Sequence, residues 1–243
     1  MMRNKRSEDL DSLEEVFDKS TLMIVYKMLN RGFLQNINGV VRAGKESRLY
    51  WGIGRKNKPV AIKIFLTTSA EFTRGRMIYI QGDERFKSTR KDTRSLVNLW
   101  ALKEFKNLQQ AADAGVRVPA PLRVEGNVLL MEFIGSKGIP APLLRESPLG
   151  HPARVYDKIA DAVKKLYTKA RLVHGDLSEY NIMIVDRKPI IFDFAQAVPP
   201  EHPMAQVFLE RDLVRMNTYF TRIGVTVPPI ERLTKWVTEE DVH

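Results

Sequence analysis

One segment limits this chain more than any other. Leu172-Val173-His174-Gly175-Asp176-Leu177-Ser178-Glu179-Tyr180-Asn181 is followed by two short apolar runs, the second leading straight into Asp193-Phe194. The runs, Ile182 to Val185 and Ile190 to Phe192, flank the turn-forming stretch Asp186-Arg187-Lys188-Pro189 and read as a short hairpin. A hairpin returns the chain to where it set out, so Asp176, Asn181 and Asp193 are expected to converge on one point. Two carboxylates and an amide at one place suit phosphoryl transfer. One carboxylate orients or deprotonates the attacking hydroxyl, while the amide and the second carboxylate hold a divalent ion against the phosphates. Single Asp residues mostly sit in solvated turns; three oxygen donors in this order and spacing are a more specific pattern.

A second pair lies upstream. Lys63 stands in the run Val60-Ala61-Ile62-Lys63-Ile64-Phe65, a strand pattern. Val97, Trp100, Ala101, Phe105, Leu108 and Ala112 trace the apolar stripe of a helix over about 96–112, and Glu104 falls on it, three and four residues from Ala101, Trp100 and Leu108. A carboxylate facing a core needs a partner, because leaving one member of a buried pair alone typically costs about 3–5 kcal/mol. Lys63 is the obvious candidate, and the pair matches the strand lysine and helix glutamate of protein kinases. Around Gly44-Lys45-Glu46-Ser47 a single glycine lets backbone N–H groups approach a phosphate and Ser47 offers a hydroxyl, although a generic turn looks similar. Met131-Glu132-Phe133-Ile134 is either a core strand or, if two lobes meet there, a hinge whose Glu132 and Ile134 backbone groups would bond an adenine edge.

The texture of the chain divides accordingly. A helical N-terminal extension over 1–35 carries Leu22, Val25, Tyr26 and Leu29 at helical spacing, with Ser20 to cap it and Gly32 to end it. A mostly β portion follows over 36–134, interrupted at about 67–91 by polar, basic sequence of weak periodicity that reads as a mobile loop. A mostly α portion occupies 135–243, with a last helix at about 203–223. The expected class is α+β. No cysteine is present, which excludes disulfides and thiolate chemistry. The longest apolar runs fall far short of the roughly 20 residues of a membrane span, and the charged start does not read as a signal peptide. The expectation is a soluble cytoplasmic protein. With 39 Lys plus Arg against 29 Asp plus Glu, the net charge of +10 favours polyanionic partners.

Taken together, the motifs resemble the RIO family of atypical serine protein kinases, in its Rio-one branch. The likeness rests on Gly44-Lys45-Glu46-Ser47, Val60-Ala61-Ile62-Lys63, Tyr79-Ile80-Gln81-Gly82-Asp83, Trp100 to Leu108, His174 to Asn181 and Asp193-Phe194-Ala195-Gln196, and covers nearly the whole chain. It implies a bilobal kinase fold with a reduced helical lobe, and ATP with Mg²⁺ or Mn²⁺ in the cleft. It implies Lys63 and Ser47 at the phosphates, Glu104 holding Lys63, and Met131, Glu132 and Ile134 at the adenine. Asp176 becomes the catalytic aspartate, with Asn181 and Asp193 as metal ligands. For some members it implies ATP turnover through a phosphoaspartate at the position of Asp193, and for the family a role in maturation of the small ribosomal subunit. The implied partners are therefore a preribosomal particle and its rRNA.

Two departures stand out. Ala195 replaces the glycine that usually follows Asp-Phe, which restricts the backbone. Only 50 residues follow Asp193, too few for the large helical region that grips a peptide in ordinary protein kinases. Arg85, Lys87, Arg90, Lys91 and Arg94, against the single acid Asp92, either contact RNA phosphates or form a solvated charge run. Arg211 and Asp212 read as a structural ion pair, and His151, His202 and His243 show no metal-ligand spacing. Two other readings compete: a small-molecule phosphotransferase of the aminoglycoside or choline kinase type, and a noncatalytic RNA- or ribosome-binding module.

Overall fold

Asp18 stands at the start of the first helix. Its carboxylate accepts hydrogen bonds from the N–H groups of Ser20 and Thr21 at 3.0 and 3.1 Å and so caps helix α1, Lys19–Asn30. The cap is thus two residues earlier than the expected Ser20. At the other end Gly32 adopts φ +67°, and Phe33 N–H reaches back to Met28 O at 2.9 Å, a closing turn that favours glycine. The computed structural model describes residues 16–67, 70–86 and 92–239. Lys87, Arg90, Lys91 and His243 of the readings above, and residues 1–15 of the extension, lie outside the described residues.

The described chain divides into two compact units. The first draws on residues within 1–75, 88–105 and 120–140. It is built on a five-stranded antiparallel sheet in the order β1-β2-β3-β5-β4, with β1 Leu34–Ala43, β2 Ser47–Gly54, β3 Pro59–Phe65, β4 Pro121–Glu125 and β5 Val128–Glu132. Apolar residues of α1 and the sheet share a core of Phe17, Val25, Met28, Leu34, Ile62 and Leu130 among others. A polar bolt locks the helix to it: buried Asn127, in the β4–β5 turn, donates to Phe65 O at 2.7 Å and to Thr21 Oγ1 at 3.0 Å. Buried amides are kept only when satisfied in this way.

The second unit draws on 76–87, 106–119 and 141–243. Helix α4, Pro152–Thr168, packs against α6, Ile230–Thr238, beside α5, Ala205–Arg222. Tyr156 Oη donates to Asn217 Oδ1 at 2.8 Å, Asn217 donates to Pro228 O, and burial pushes the Tyr156 hydroxyl up to about 12. The short ribbon β6 Gly135–Ser136 with β7 Ile139–Pro140 belongs to the first unit, and the hairpin β8 Ile182–Val185 with β9 Lys188–Ile191 to the second. Asp186 and Arg187 have φ of 50° and 59°, the backbone of a two-residue turn that suits a right-twisted hairpin. The turn is tighter than expected, since Lys188 and Pro189 already belong to the strand.

Two departures from the sequence reading concern helices. Within 67–91, Ala70–Ile80 forms helix α2, where weak periodicity suggested an irregular loop. Helix α3, Thr93–Asp113, has the expected apolar stripe through Val97, Trp100, Ala101 and Leu108, but Phe105 is only half-buried and Ala112 exposed, while Lys103 is fully buried. No helix among the described residues is long and apolar enough to cross a membrane.

Candidate active site

In the first unit the two charged residues singled out in the sequence meet. Lys63 is placed by β3 between its neighbours β2 and β5, in register with Leu49 and Leu129. Its Nζ donates to Glu104 Oε1 at 2.9 Å and to Oε2 at 2.7 Å. The Glu104 side chain is 1% exposed and that of Lys63 12% exposed, so both charges are largely withdrawn from water. Bidentate contact to an ionised group at these lengths is the strong form of hydrogen bond. Removing either partner would strand the other, at about 3–5 kcal/mol.

The other expected residues of this unit lie on the same sheet or, for Ile134, just beyond the end of β5. Ser47 opens β2 opposite Phe65; its carbonyl accepts from Gly44 N–H at 3.0 Å and closes the β1–β2 turn. A Cβ at Gly44 would stand 3.1 Å from that carbonyl, so a small residue suits the turn. Met131 and Ile134 are buried. Glu132 N–H is committed to Ala120 O at 2.8 Å.

In the second unit the loop at 172–181 is held from three sides. Gly175 adopts φ +79°, and a Cβ there would stand 3.0 Å from Gln196 O. Asp212, buried on α5, accepts from the N–H groups of Gly175 at 2.7 Å and Leu177 at 2.9 Å. Burial pushes its carboxyl up to about 7, against the opposing effect of those two N–H groups and of Arg211. Arg211 itself donates to Gly175 O. The expected ion pair between Arg211 and Asp212 is therefore replaced by two separate grips on one stretch of backbone. A buried backbone N–H must find an acceptor, and for Gly175 and Leu177 helix α5 supplies it.

His174 is the third anchor. Its Nδ1 accepts from Asp176 N–H at 3.3 Å, so the proton sits on Nε2, which donates to Phe192 O at 3.1 Å. Burial lowers its pKa, opposed by the Phe192 carbonyl and the charges of Asp193 and Asp176. The neutral ring thus ties the loop to the strand end that carries Asp193.

Asp176 and Asn181 are in contact: Asn181 Nδ2 donates to Asp176 O at 2.7 Å and lies 3.4 Å from Asp176 Oδ2. Asn181 O accepts from Phe192 N–H at 3.0 Å, which brings the hairpin back beside the loop. Asp193 follows in the left-handed region, φ 66° and ψ 62°. The positive φ falls on this aspartate and not on Ala195, which is buried in the short helical turn Phe194–Gln196, so the missing glycine is not needed there. Arg215, one turn beyond Asp212, donates to Asp176 Oδ1 at 2.8 Å.

The chemistry of the donors fits a hard cation. With its nitrogen on a carbonyl, Asn181 turns its amide oxygen to other partners, and Asp193 adds a carboxylate. Among the described residues no group of three or more His, Asp or Glu could hold a metal by themselves. Two protein oxygens leave room for water and phosphate, the usual coordination of Mg²⁺. Arg211, Asp212, Arg215 and the neutral His174 were missed as contributors. An acid between Leu209 and Leu213 on an amphipathic helix was the available signal for Asp212.

The basic cluster is corrected in part. Arg85 is taken up by Asp83, Asn107 and Gln110, and Arg94 by Asp18 and Ser20 at 2.6 Å each. Neither stands as a free phosphate contact.

The antiparallel sheet with its strand lysine on a helix glutamate, and the helical unit with its Asp-Asn loop and returning aspartate, define a protein-kinase-like α+β fold. The solved Rio2 kinase of Chaetomium thermophilum, in a complex described as ADP/Mg²⁺-phosphoaspartate, shares this fold with a TM-score of 0.67 at 22% identity, over 90% of this chain and 66% of that one, just under two thirds of it. Residues 48–233 match the RIO domain. The chain is 38% identical over 97% of its length to the RIO-type serine/threonine-protein kinase Rio1 of Methanocaldococcus jannaschii, covering 80% of that protein. It is 37% identical over 92% of its length to the Haloferax volcanii protein of the same name, covering 76% of it. The chain belongs to the RIO family.

Proposed function

We propose that this chain is an ATP-dependent serine/threonine protein kinase of the RIO type, with ATP hydrolysis as an accompanying outcome. Bound ATP with Mg²⁺, or Mn²⁺ in its place, supplies the phosphoryl group and the charge that screens it. Lys63, kept in place by Glu104, meets the phosphates, Ser47 donates its hydroxyl to them, and Met131, Glu132 and Ile134 border the adenine. Asn181 and Asp193 hold the ion through oxygen. Asp176 accepts the proton of the attacking hydroxyl, its backbone fixed by Asp212, Arg211 and His174. Both ring nitrogens of His174 are engaged, Nδ1 by Asp176 N–H and Nε2 by Phe192 O, which leaves Asp176 as the proton acceptor of the loop.

The observation that carries this reading is the double role of Asn181, bonded through its side chain to Asp176 and through its backbone to Phe192. A small ribosomal subunit precursor and its RNA are the proposed partners, supported by the family and by the net charge of +10. The family match does not favour a small-molecule phosphotransferase, and a noncatalytic module would have no need of a buried Lys63–Glu104 pair.

Incubation with γ-labelled ATP and Mg²⁺ tests the proposal, with label followed into protein, free phosphate, purified small-subunit particles and hydroxylated small molecules. Label in protein is the expected result; label in small molecules alone would reject it. Asp176→Asn is expected to lower turnover by roughly 10²–10⁴-fold, the usual worth of a positioned proton acceptor. Lys63→Ala is expected to weaken productive phosphate binding; unchanged single-turnover rates in both variants would refute the assignments.

A further inference from the structure

The second unit contains a buried polar chain that ends on the backbone beside Asp193. It starts at Asp83, whose buried carboxylate accepts from Arg85 Nε at 2.9 Å and from Arg85 Nη2 at 2.8 Å. The other arm of the guanidinium, Nη1, donates to Asn107 Oδ1 at 3.0 Å and to Gln110 Oε1 at 2.6 Å. Asn107 is fully buried, and its Nδ2 donates to Phe194 O at 2.8 Å and Ala197 O at 3.1 Å. The direction of the amide is settled by its neighbours. A guanidinium can only donate, so it faces the amide oxygen, and two carbonyls can only accept, so they face the nitrogen.

The two carbonyls belong to the turn that follows Asp193, and Ala197 N–H closes that turn on Phe194 O at 3.1 Å. Asp193 itself is in the left-handed region, an uncommon conformation for a residue with a side chain and one that the neighbouring contacts must support. His174 holds the residue before it, through Phe192 O, and Asn107 holds the residues after it. Without Asn107 the carbonyls of Phe194 and Ala197 would lose the one side-chain donor they share, and the turn would be held less firmly. Without Arg85 the Asn107 amide would lose the partner that orients it.

We propose that Arg85 and Asn107 are positioning residues that set the conformation of Asp193 and, through it, the affinity of the site for a divalent ion. The proposal rests on the reading of Asp193 as a metal ligand given above. Asp83 acts at one remove by fixing the fork of Arg85, a geometry that lysine cannot reproduce. Residues that orient a metal ligand typically change metal affinity by about 10–100-fold when removed.

The experiment is titration of the full chain with Mn²⁺, free ion read by electron paramagnetic resonance, in the presence of a nonhydrolysable ATP analogue. Asn107→Ala and Arg85→Ala are expected to raise the Mn²⁺ Kd by about 10–100-fold, while affinity for the analogue without metal stays at the wild-type value. Arg85→Lys is expected to fall between wild type and Arg85→Ala. Amide exchange over 192–198 should quicken in the same order. If Asn107→Ala does not fold, as judged by circular dichroism, the two Arg85 variants decide. Wild-type Mn²⁺ affinity in folded Arg85→Ala and Asn107→Ala would overturn the clamp. Asp193→Ala separates the two claims: if it abolishes Mn²⁺ binding while the clamp variants do not, only the clamp is rejected. If Asp193→Ala leaves binding intact, the metal reading falls and takes the clamp with it.

Discussion

Asp212 shows how much one side chain can carry. It touches neither reacting group, yet the backbone on both sides of Asp176 hangs on its two oxygens. Burial raises its pKa to about 7, well above the unfolded value near 3.9. The folded state therefore holds a proton that the unfolded chain has released between about pH 4 and 7, and stability falls as the pH rises through that window, by up to ~1.4 kcal/mol per pH unit for one group. Catalysis runs the other way. Once protonated, the carboxyl is a weaker acceptor for the Gly175 and Leu177 N–H groups, so turnover should decline as the pH is lowered through 7. Carbon-13 NMR of labelled aspartates is expected to show one carboxyl titrating near 7 that is absent from Asp212→Asn. No such signal would remove Asp212 from this role.

At the scale of elements, α1 is fastened by its first turn. Asp18 caps the helix, accepts from Thr21 Oγ1 at 2.9 Å and Thr67 Oγ1 at 3.1 Å, and pairs with Arg94. Burial opposes ionisation, but these donors together hold its carboxyl well below the usual range. Its contribution is thus complete above the unfolded pKa and is lost as acid drives the pH down through the folded one. Both members of the pair are about one-third exposed or more, so solvent screens the ion pair and the cap dominates. Asp18→Ala is expected to cost about 0.5–2 kcal/mol at neutral pH. In urea denaturation the gap from wild type should shrink on acidification, and a gap independent of pH would contradict the assignment. The elements themselves were unevenly legible. The β8–β9 hairpin and α3 were plain from apolar spacing, but α2 and α6 were not read as helices. In α2 the apolar residues Met77, Ile78 and Ile80 trace no single face, so periodicity gives no signal.

The whole molecule combines two compact units, each with its own core, and nucleotide binding is the measurement that interrogates the proposal for all of it at once. A ligand that binds only the folded chain adds about 2.7 kcal/mol at one hundred times its Kd. For a protein of this length that corresponds to a rise of roughly 5–10 °C in unfolding midpoint. ATP with Mg²⁺ is expected to produce such a shift in calorimetry, and Lys63→Ala to reduce it at the same ligand concentration. No shift with wild type at millimolar ATP and Mg²⁺ would count against the nucleotide site.

Sequence alone was enough to bring out Asp176, Asn181 and Asp193 as the residues proposed for phosphoryl transfer and to pair Lys63 with Glu104, because hairpins and apolar stripes are local patterns and a core-facing charge demands an opposite one. It could not assign the work of Asp212, Arg85 and Asn107. Asp212 and Asn107 act on backbone groups between 35 and 90 residues away, Arg85 acts on side chains 22 and 25 residues away, and a hydrogen bond to a distant group leaves no mark on the residues around it. Only the packed chain decides which polar side chain reaches which strand end. That is why Arg85 looked like a surface cation in the sequence and is bound up in a polar network in the fold.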